Sequence, residues 1–182
     1  EKAEYFELGI RPKGTGMVKC NGIFAGDIAI GKPENCITRS DILVLTNQYP
    51  APENLYRNMF VHQRVSAYRT RGVTVDVMRM NIYAKEGYRE YEGINVIEGQ
   101  AEMLASILDT GIVKTVCVHF LDSLMWGVLK NYLDRIRLIV WVHGAEIQPW
   151  WRREYNYNTE AELEKAKTET VIRQNFWKEV FA

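Results

Sequence analysis

Two of the three histidines in this chain lie at or just after the ends of short apolar runs, where buried strands would end. His119 falls near the end of "TVCVHF", and His143 follows "IRLIVWV" and precedes Gly144. An imidazole can donate and accept hydrogen bonds near neutral pH, and glycine lets a ligand approach the backbone. Either histidine alone could simply hydrogen-bond within its loop, but two on one rim of a sheet indicate a ligand site.

Glu146 lies three residues after His143, where a carboxylate can orient an imidazole or support the turn. The two histidines do not have the local spacing of zinc ligands, so no metal is expected. The third histidine, His62, falls within a helical segment, and we expect it at the surface or between helices.

The pair Trp150-Trp151, followed by two arginines, has two interpretations. It could be a stacking platform for a sugar or nucleotide, with cationic partners. It could instead anchor the loop and the final helix. We favour the anchor, because two adjacent indoles on a helix cannot both face one ligand.

These residues would be positioned by alternating strands and helices. Aliphatic and β-branched runs predict strands at Asp41–Asn47, Val73–Met80, Thr115–Phe120 and Ile136–Val142. Helices are predicted before Arg71, over residues 100–110, after Asp122 and from Thr159 onward. A hairpin is predicted around Glu92-Gly93. This alternation predicts an α/β fold with an open, mostly parallel sheet and helices on both faces.

Ligands of such sheets gather beyond the carboxyl ends of the strands. That rule selects the loop Asn47–Asn54, His119 and the segment from His143 to Glu146. No G-x-G-x-x-G follows the first strand, so a dinucleotide-binding domain is disfavoured. The sequence also contains neither a P-loop nor a G-x-S-x-G nucleophile motif.

Residues 1–40 differ from the rest of the chain. They hold six of the 13 glycines and alternations such as "GIFAGDIAIG", which predict short strands and turns. We interpret them as a β-rich extension or a linker from a preceding domain. Because the sequence starts at Glu1 and stops within a helical pattern, we expect a piece of a longer protein.

Composition excludes several classes of protein. Lys plus Arg and Asp plus Glu are both 23, which argues against binding nucleic acid through a general basic field. No apolar run approaches the roughly 20 residues that span a bilayer. The three cysteines have neither an even count nor the spacing of metal ligands, which argues against a disulfide framework, so a cytoplasmic location is expected.

The order of the motifs "DILVLTNQYP", "AYRTRGVTVDVMRM", "TVCVHFLD" and "LIVWVHGAEI" resembles the amino-terminal half of glycosyltransferase family 4 enzymes. Those enzymes have the GT-B architecture, in which two Rossmann-like domains face each other across a cleft. The resemblance covers residues 41–182. It implies a Rossmann-like, acceptor-side domain whose carboxyl-terminal donor domain is absent, and which is inactive alone.

The resemblance implies retaining transfer of a sugar from a nucleotide-sugar to a glycan or lipid-linked acceptor, in bacterial surface polysaccharide synthesis. No cofactor is implied beyond the nucleotide-sugar co-substrate. The implied location is cytoplasmic, with contact at the inner face of the membrane left open. Two alternatives are a GT-B nucleotide-sugar epimerase and a non-catalytic α/β ligand-binding or interaction domain.

By position, the resemblance implies catalytic roles for His143 and His119. It implies substrate binding by two residues that follow His143, namely Gly144 and Glu146. It implies the same for the loop after the first core strand, namely Asn47, Gln48 and Tyr49. This loop departs from the family pattern, because it contains Pro50 and Pro52 where glycines are common.

Overall fold

The computed structural model describes residues 40–144 and 146–182, together with the backbone of two short strands before them. These strands, β1 (Ile23–Ala25) and β2 (Ile28–Ile30), pair antiparallel within the segment for which the sequence predicts short strands and turns. Apart from them, residues 1–39, and with them the prediction of an extension or linker, lie outside the described residues.

The main sheet has six strands within the described part of the chain. They are β3 (Ile42–Thr46), β4 (Asp76–Met80), β5 (Gly87–Tyr91), β6 (Ile94–Gly99), β7 (Thr115–His119) and β8 (Arg137–Trp141). Their spatial order is β5-β6-β4-β3-β7-β8, and every neighbouring pair is parallel except the hairpin β5-β6. The predicted mostly parallel α/β sheet is therefore confirmed, and its strand order is that of a Rossmann-like fold.

Four helices of residues 40–182 cover the sheet, as far as these residues are described: α1 (Met59–Thr70), α2 (Ala101–Asp109), α3 (Ser123–Leu129) and α4 (Glu160–Val180). Asp122 caps α3 by accepting a hydrogen bond from the backbone N–H of Met125. Thr159 and Glu162 form the predicted capping box of α4. Short 3₁₀ segments at Lys130–Tyr132 and Trp150–Asn156 join the later elements.

Apolar cores lie on both faces of the sheet. Helices α2, α3 and α4 pack on one face, around residues such as Leu45, Met78 and Trp177. Helix α1 packs on the other face, where Val61 and Val65 meet alternate residues of the same strands. Strand side chains alternate between faces, so each central strand contributes to both cores and has the apolar composition of a parallel strand.

Strand β8 corrects one expectation. It is parallel to β7 as predicted, but it is not buried, because it forms an edge of the described sheet. Its central residues are half-buried, and Trp141 and Val142 are 37% and 40% exposed. The apolar run predicts a strand, but whether that strand is central or at an edge depends on the strand order.

Candidate functional site

The candidate site lies where the strand order reverses, between β3 and β7. The chain goes from β3 outward to β4 on one side, and β7 lies on the other side of β3. In open α/β sheets, such a reversal beyond the carboxyl ends of the strands is where ligands bind. Thr46 at the end of β3 is paired with His119 at the end of β7, which is paired with Trp141 at the end of β8.

The two strand-end histidines contact each other. The Nδ1 atom of His119 lies 2.9 Å from the Nε2 atom of His143, and their rings are stacked with centroids 5.1 Å apart. His119 is fully buried, whereas His143 is exposed. The rim therefore presents one histidine to solvent and holds the other beneath it. The sequence predicts that both lie on one rim, and the register of the strands produces the contact.

Burial determines the protonation of the inner histidine. Desolvation by burial is the main cause that lowers the pKa of His119 from 6.5 to about 4, and electrostatic interactions with His143 and Arg64 act in the same direction. His119 is therefore neutral near pH 7. Its Nε2 atom has no hydrogen-bond partner among the described residues. A buried acceptor without a partner is less costly than a buried N–H without one, so we assign the shared proton to Nδ1, which donates to His143.

Two phenylalanines enclose the outer histidine. The ring of Phe120 stacks on His143 with centroids 4.5 Å apart, and the ring of Phe60 lies at 4.7 Å. Phe120 follows β7 in a left-handed backbone conformation, with φ of 59°. A bulky residue rarely adopts that conformation, and such strain clusters at functional sites. Together with His119, these rings orient the imidazole of His143.

Gly144 and Glu146 form the turn after β8. Gly144 has φ of 101°, and a Cβ atom there would lie 3.2 Å from the side-chain nitrogen of Gln148. Glu146 accepts a hydrogen bond of 2.7 Å from the backbone N–H of His143. Its carboxylate therefore supports the turn, and the imidazole is oriented by other residues. The Oε2 atom of Glu146 has no hydrogen-bond partner among the described residues.

The loop after β3 is held by Asn58, the left-handed residue before α1. The side-chain amide of Asn58 donates to the Thr46 hydroxyl, to the Asn47 side-chain carbonyl oxygen and to the Gln48 backbone carbonyl, at 3.2–3.3 Å. The Thr46 hydroxyl also donates to the Gln48 carbonyl. Gln48 itself is exposed and Asn47 half-buried. They follow Thr46, which pairs with His119, so this fixed backbone continues from the strand end next to His119.

Tyr49 does not point to the rim. Its side chain is fully buried, and its hydroxyl lies 2.9 Å from the Nδ1 atom of His62. Of the three loop residues predicted to bind substrate, Tyr49 can therefore offer only its backbone. His62 is itself 3% exposed, so its expected position at the surface or between helices is wrong. It lies between α1 and the sheet, because the loop and the hairpin supply polar partners for its ring.

The structure separates the roles of the Trp150-Trp151 pair. The backbone N–H of Trp150 donates to the Thr170 hydroxyl in α4, and Lys167 lies over its ring. Trp151 is 54% exposed and contacts Trp150 edge to face. Trp150 thus anchors the segment to the final helix, as favoured from the sequence. Trp177 adds a second anchor by donating to the Glu146 carbonyl.

Three residues of the site have no distinct signal in the sequence. Phe60 and Phe120 are single aromatic residues among many, and Asn58 gains its role from a left-handed backbone conformation. Asparagine tolerates that conformation better than most residues do. This preference is the one clue that sequence reasoning could have used.

Within residues 40–144 and 146–182, no three side chains among His, Cys, Asp and Glu come together as metal ligands. None of the helices described combines the length and apolarity needed to cross a bilayer. Comparison of the chain with protein-family models, with curated proteins and with solved structures gave no match.

Proposed function

We propose that this chain forms the acceptor-side domain of a retaining glycosyltransferase. The enzyme would move a sugar from a nucleotide-sugar to a glycan or lipid-linked acceptor in bacterial surface polysaccharide synthesis. The observation that carries the proposal is the hydrogen-bonded pair His119–His143 beside the fixed loop Asn47-Gln48, at the reversal of the strand order.

The chemistry of the rim supports a role in binding a polar, hydroxyl-rich ligand. The Nδ1–H of His119 donates a hydrogen bond to Nε2 of His143. In a neutral imidazole whose Nε2 accepts, the proton is on Nδ1, so the Nδ1–H of His143 is a donor. It can donate a hydrogen bond to a hydroxyl oxygen of the transferred sugar. The rings of Phe60 and Phe120 fix this donor and give the rim apolar walls.

The turn and the loop would complete the site. Gly144 lacks a side chain where the ligand would pass, so the backbone can approach it. Asn47 and Gln48 supply amide groups on a loop already held by Asn58, which reduces the ordering cost of binding. We propose that most donor contacts, including those to its phosphates, come from a second domain.

The electrostatics of the rim favour transfer over the epimerase alternative. A GT-B epimerase uses more acidic residues in its cleft. Here Glu146 already binds the backbone N–H of His143, and the neutral His119 lies beneath the rim. In the sequence of this turn, Glu146 is the one carboxylate, and it supports the backbone, so we propose that the rim acts through hydrogen bonding.

Product analysis with the full-length protein tests the proposal. The protein is incubated with a panel of nucleotide-sugars and with glycan and lipid-linked acceptors, and the products are identified by mass spectrometry. We expect a glycosylated acceptor as the product. Its rate of formation should fall at least about tenfold in His143→Ala, because one positioned hydrogen-bond donor is lost. Ile172→Ala, at an exposed residue of α4, is the control and should act as wild type. An epimerised sugar would support the epimerase, and no turnover with any pair would contradict the proposal.

A further inference from the structure

A second set of polar side chains lies on the α1 face of the sheet, beneath the candidate site. The Tyr49 hydroxyl lies 2.9 Å from Nδ1 of His62, and Nε2 of His62 lies 2.9 Å from Oε2 of Glu92. Burial raises the pKa of the Tyr49 phenol, so the phenol stays protonated. It therefore donates to Nδ1 of His62, and the Nε2–H of His62 donates to the Glu92 carboxylate.

This set resembles a catalytic triad in its order, but its burial excludes that role. The Tyr49 hydroxyl would be the reacting group, and its side chain is fully buried. No substrate can reach it without opening the core. What the three residues do is connect three elements: the loop after β3, helix α1 and the turn between β5 and β6.

The same loop is also held from the hairpin through its backbone. The guanidinium of Arg89 donates to the backbone carbonyls of Tyr49 at 3.1 Å and Pro50 at 2.5 Å. The Nε atom of Arg89 donates to Glu98 at 2.7 Å, and Arg79 donates to the same carboxylate oxygen. Glu98 on β6 thus binds one arginine from each neighbouring strand, Arg79 on β4 and Arg89 on β5. These charge-assisted hydrogen bonds fix the guanidinium of Arg89.

The hairpin turn is in turn fixed on α1. Glu92 has a left-handed backbone conformation, with φ of 49°, and its carboxylate accepts the hydrogen bond from Nε2 of His62. The carbonyl of the next residue, Gly93, accepts a hydrogen bond of 2.6 Å from Arg69. The turn is thus tied to α1 twice, and His62 also connects it to Tyr49 in the loop after β3.

We propose that His62 is a positioning residue, which couples the hairpin turn Glu92-Gly93 to the backbone of the binding loop Asn47–Tyr49. The loop keeps its binding geometry because Tyr49 is held at its hydroxyl by His62 and at its carbonyl by Arg89. This inference rests on the proposed function, since it takes Asn47 and Gln48 as ligand contacts.

Amide hydrogen exchange of the free protein tests the coupling without any ligand. Tyr49→Phe removes only the hydroxyl, and we expect the loop amides to exchange about fivefold faster, as for loss of one hydrogen bond. Amides of β7 should change much less. Tyr56→Phe, at a residue 94% exposed, is the matched control and should change neither. Unchanged loop exchange, or an equal increase in the loop and in β7, would overturn the inference.

The other end of the set provides a rescue. Glu92→Gln keeps an oxygen that can accept from Nε2 of His62, so loop protection should stay within about twofold of wild type. Glu92→Ala removes the acceptor at 2.9 Å and leaves the Ser66 hydroxyl, 3.4 Å from Nε2, so it should loosen the loop as Tyr49→Phe does. If Glu92→Ala leaves loop exchange unchanged, the turn is not coupled to the loop and the inference fails.

A kinetic measurement separates this inference from the proposed function. In the full-length protein, Tyr49→Phe should raise KM for the nucleotide-sugar about fivefold and change kcat less than about twofold, because it disturbs ground-state positioning. Equal KM values despite a loosened loop would overturn the inference. If the wild-type protein uses no nucleotide-sugar, the proposed function fails, and the exchange results alone decide the coupling.

Discussion

The Nδ1 atom of His119 and the Nε2 atom of His143 lie 2.9 Å apart, although the two residues are 24 positions apart in the sequence. His119 ends β7, and His143 follows the neighbouring parallel strand β8 by two residues. This offset lets the imidazole of His143 lie over the strand end at which His119 is buried. The contact joins a buried, neutral ring to an exposed one, and it leads to a prediction about pH.

The stability of the protein should depend on His119 between pH 6.5 and pH 4. Because the folded state lowers its pKa to about 4, the unfolded state binds more protons in this window. The stabilising contribution is therefore complete above pH 6.5 and is lost as the pH falls towards 4. The free energy of unfolding should change by up to about 3 kcal/mol across this window, at about 1.4 kcal/mol per unit of pKa. Urea unfolding of wild type and His119→Asn across this range measures it.

The asparagine variant keeps a donor near the position of Nδ1 but does not titrate. The difference in unfolding free energy between wild type and variant should fall as the pH is lowered. Taking this difference cancels the effect of other groups, such as Asp122, whose pKa is raised by burial. A difference that is constant with pH would show that His119 is not the group responsible.

Glycine should be better tolerated than alanine in place of Phe120. Both substitutions remove the ring that stacks on His143, but alanine keeps the strain of a left-handed backbone and glycine relieves it. The free energy of unfolding of the Phe120→Gly variant should therefore be higher than that of Phe120→Ala by about 1 kcal/mol. Chemical denaturation of the two variants provides the comparison. Equal stabilities, or a more stable alanine variant, would mean that the residue is not strained.

Glycine is required at position 144 but not at position 127. Gly144→Ala would place a Cβ 3.2 Å from Gln148 at φ of 101°, and we expect a loss of at least about 1 kcal/mol. Gly127 lies within α3, and a Cβ added there would meet no described atom within 4 Å. Gly127→Ala should therefore raise stability by about 0.5–1 kcal/mol. Thermal unfolding should move the two variants in opposite directions, and a shared direction would contradict this account.

Asn58 should be more sensitive to charge than to loss of its side chain. Its amide nitrogen faces three oxygens, those of Thr46, Asn47 and Gln48. Asn58→Gly keeps the left-handed backbone and simply loses these bonds. Asn58→Asp turns a carboxylate towards the oxygens, so it should be the less stable variant by about 1 kcal/mol or more. Denaturant titrations that rank the aspartate variant equal or higher would show that the amide does not hold the loop.

The parallel strands β3, β4, β7 and β8 could be predicted because each has a strong local signal, whereas the place of the hairpin β5-β6 in the same sheet was not predicted. Runs such as "ILVLT" and "TVCVH" are apolar on both faces, as central parallel strands require, and helical patterns separate them. The hairpin at Glu92-Gly93 and the capping box at Thr159 have equally local chemistry. These features depend on a few neighbouring residues, so sequence reasoning finds them.

Features that depend on distant contacts were not predictable. The exposure of β8 follows from its place at an edge, and the burial of His62 follows from partners 13 and 30 residues away along the chain. Likewise, Tyr49 belongs to a loop that the sequence assigns to the rim, yet its ring packs into the core. Polar residues near strand ends can lie on either side of the loop, and packing decides which.

We propose that His143, on the rim that it shares with His119, hydrogen-bonds to the sugar of a bound nucleotide-sugar. Calorimetric titration of the full-length protein with a panel of nucleotide-sugars tests it most directly, with His143→Ala beside the wild type. We predict saturable binding of at least one member, weakened about tenfold or more in the variant, as for loss of a donor to a polar ligand. Absence of binding across the panel, or equal affinity of the two proteins, would contradict the account.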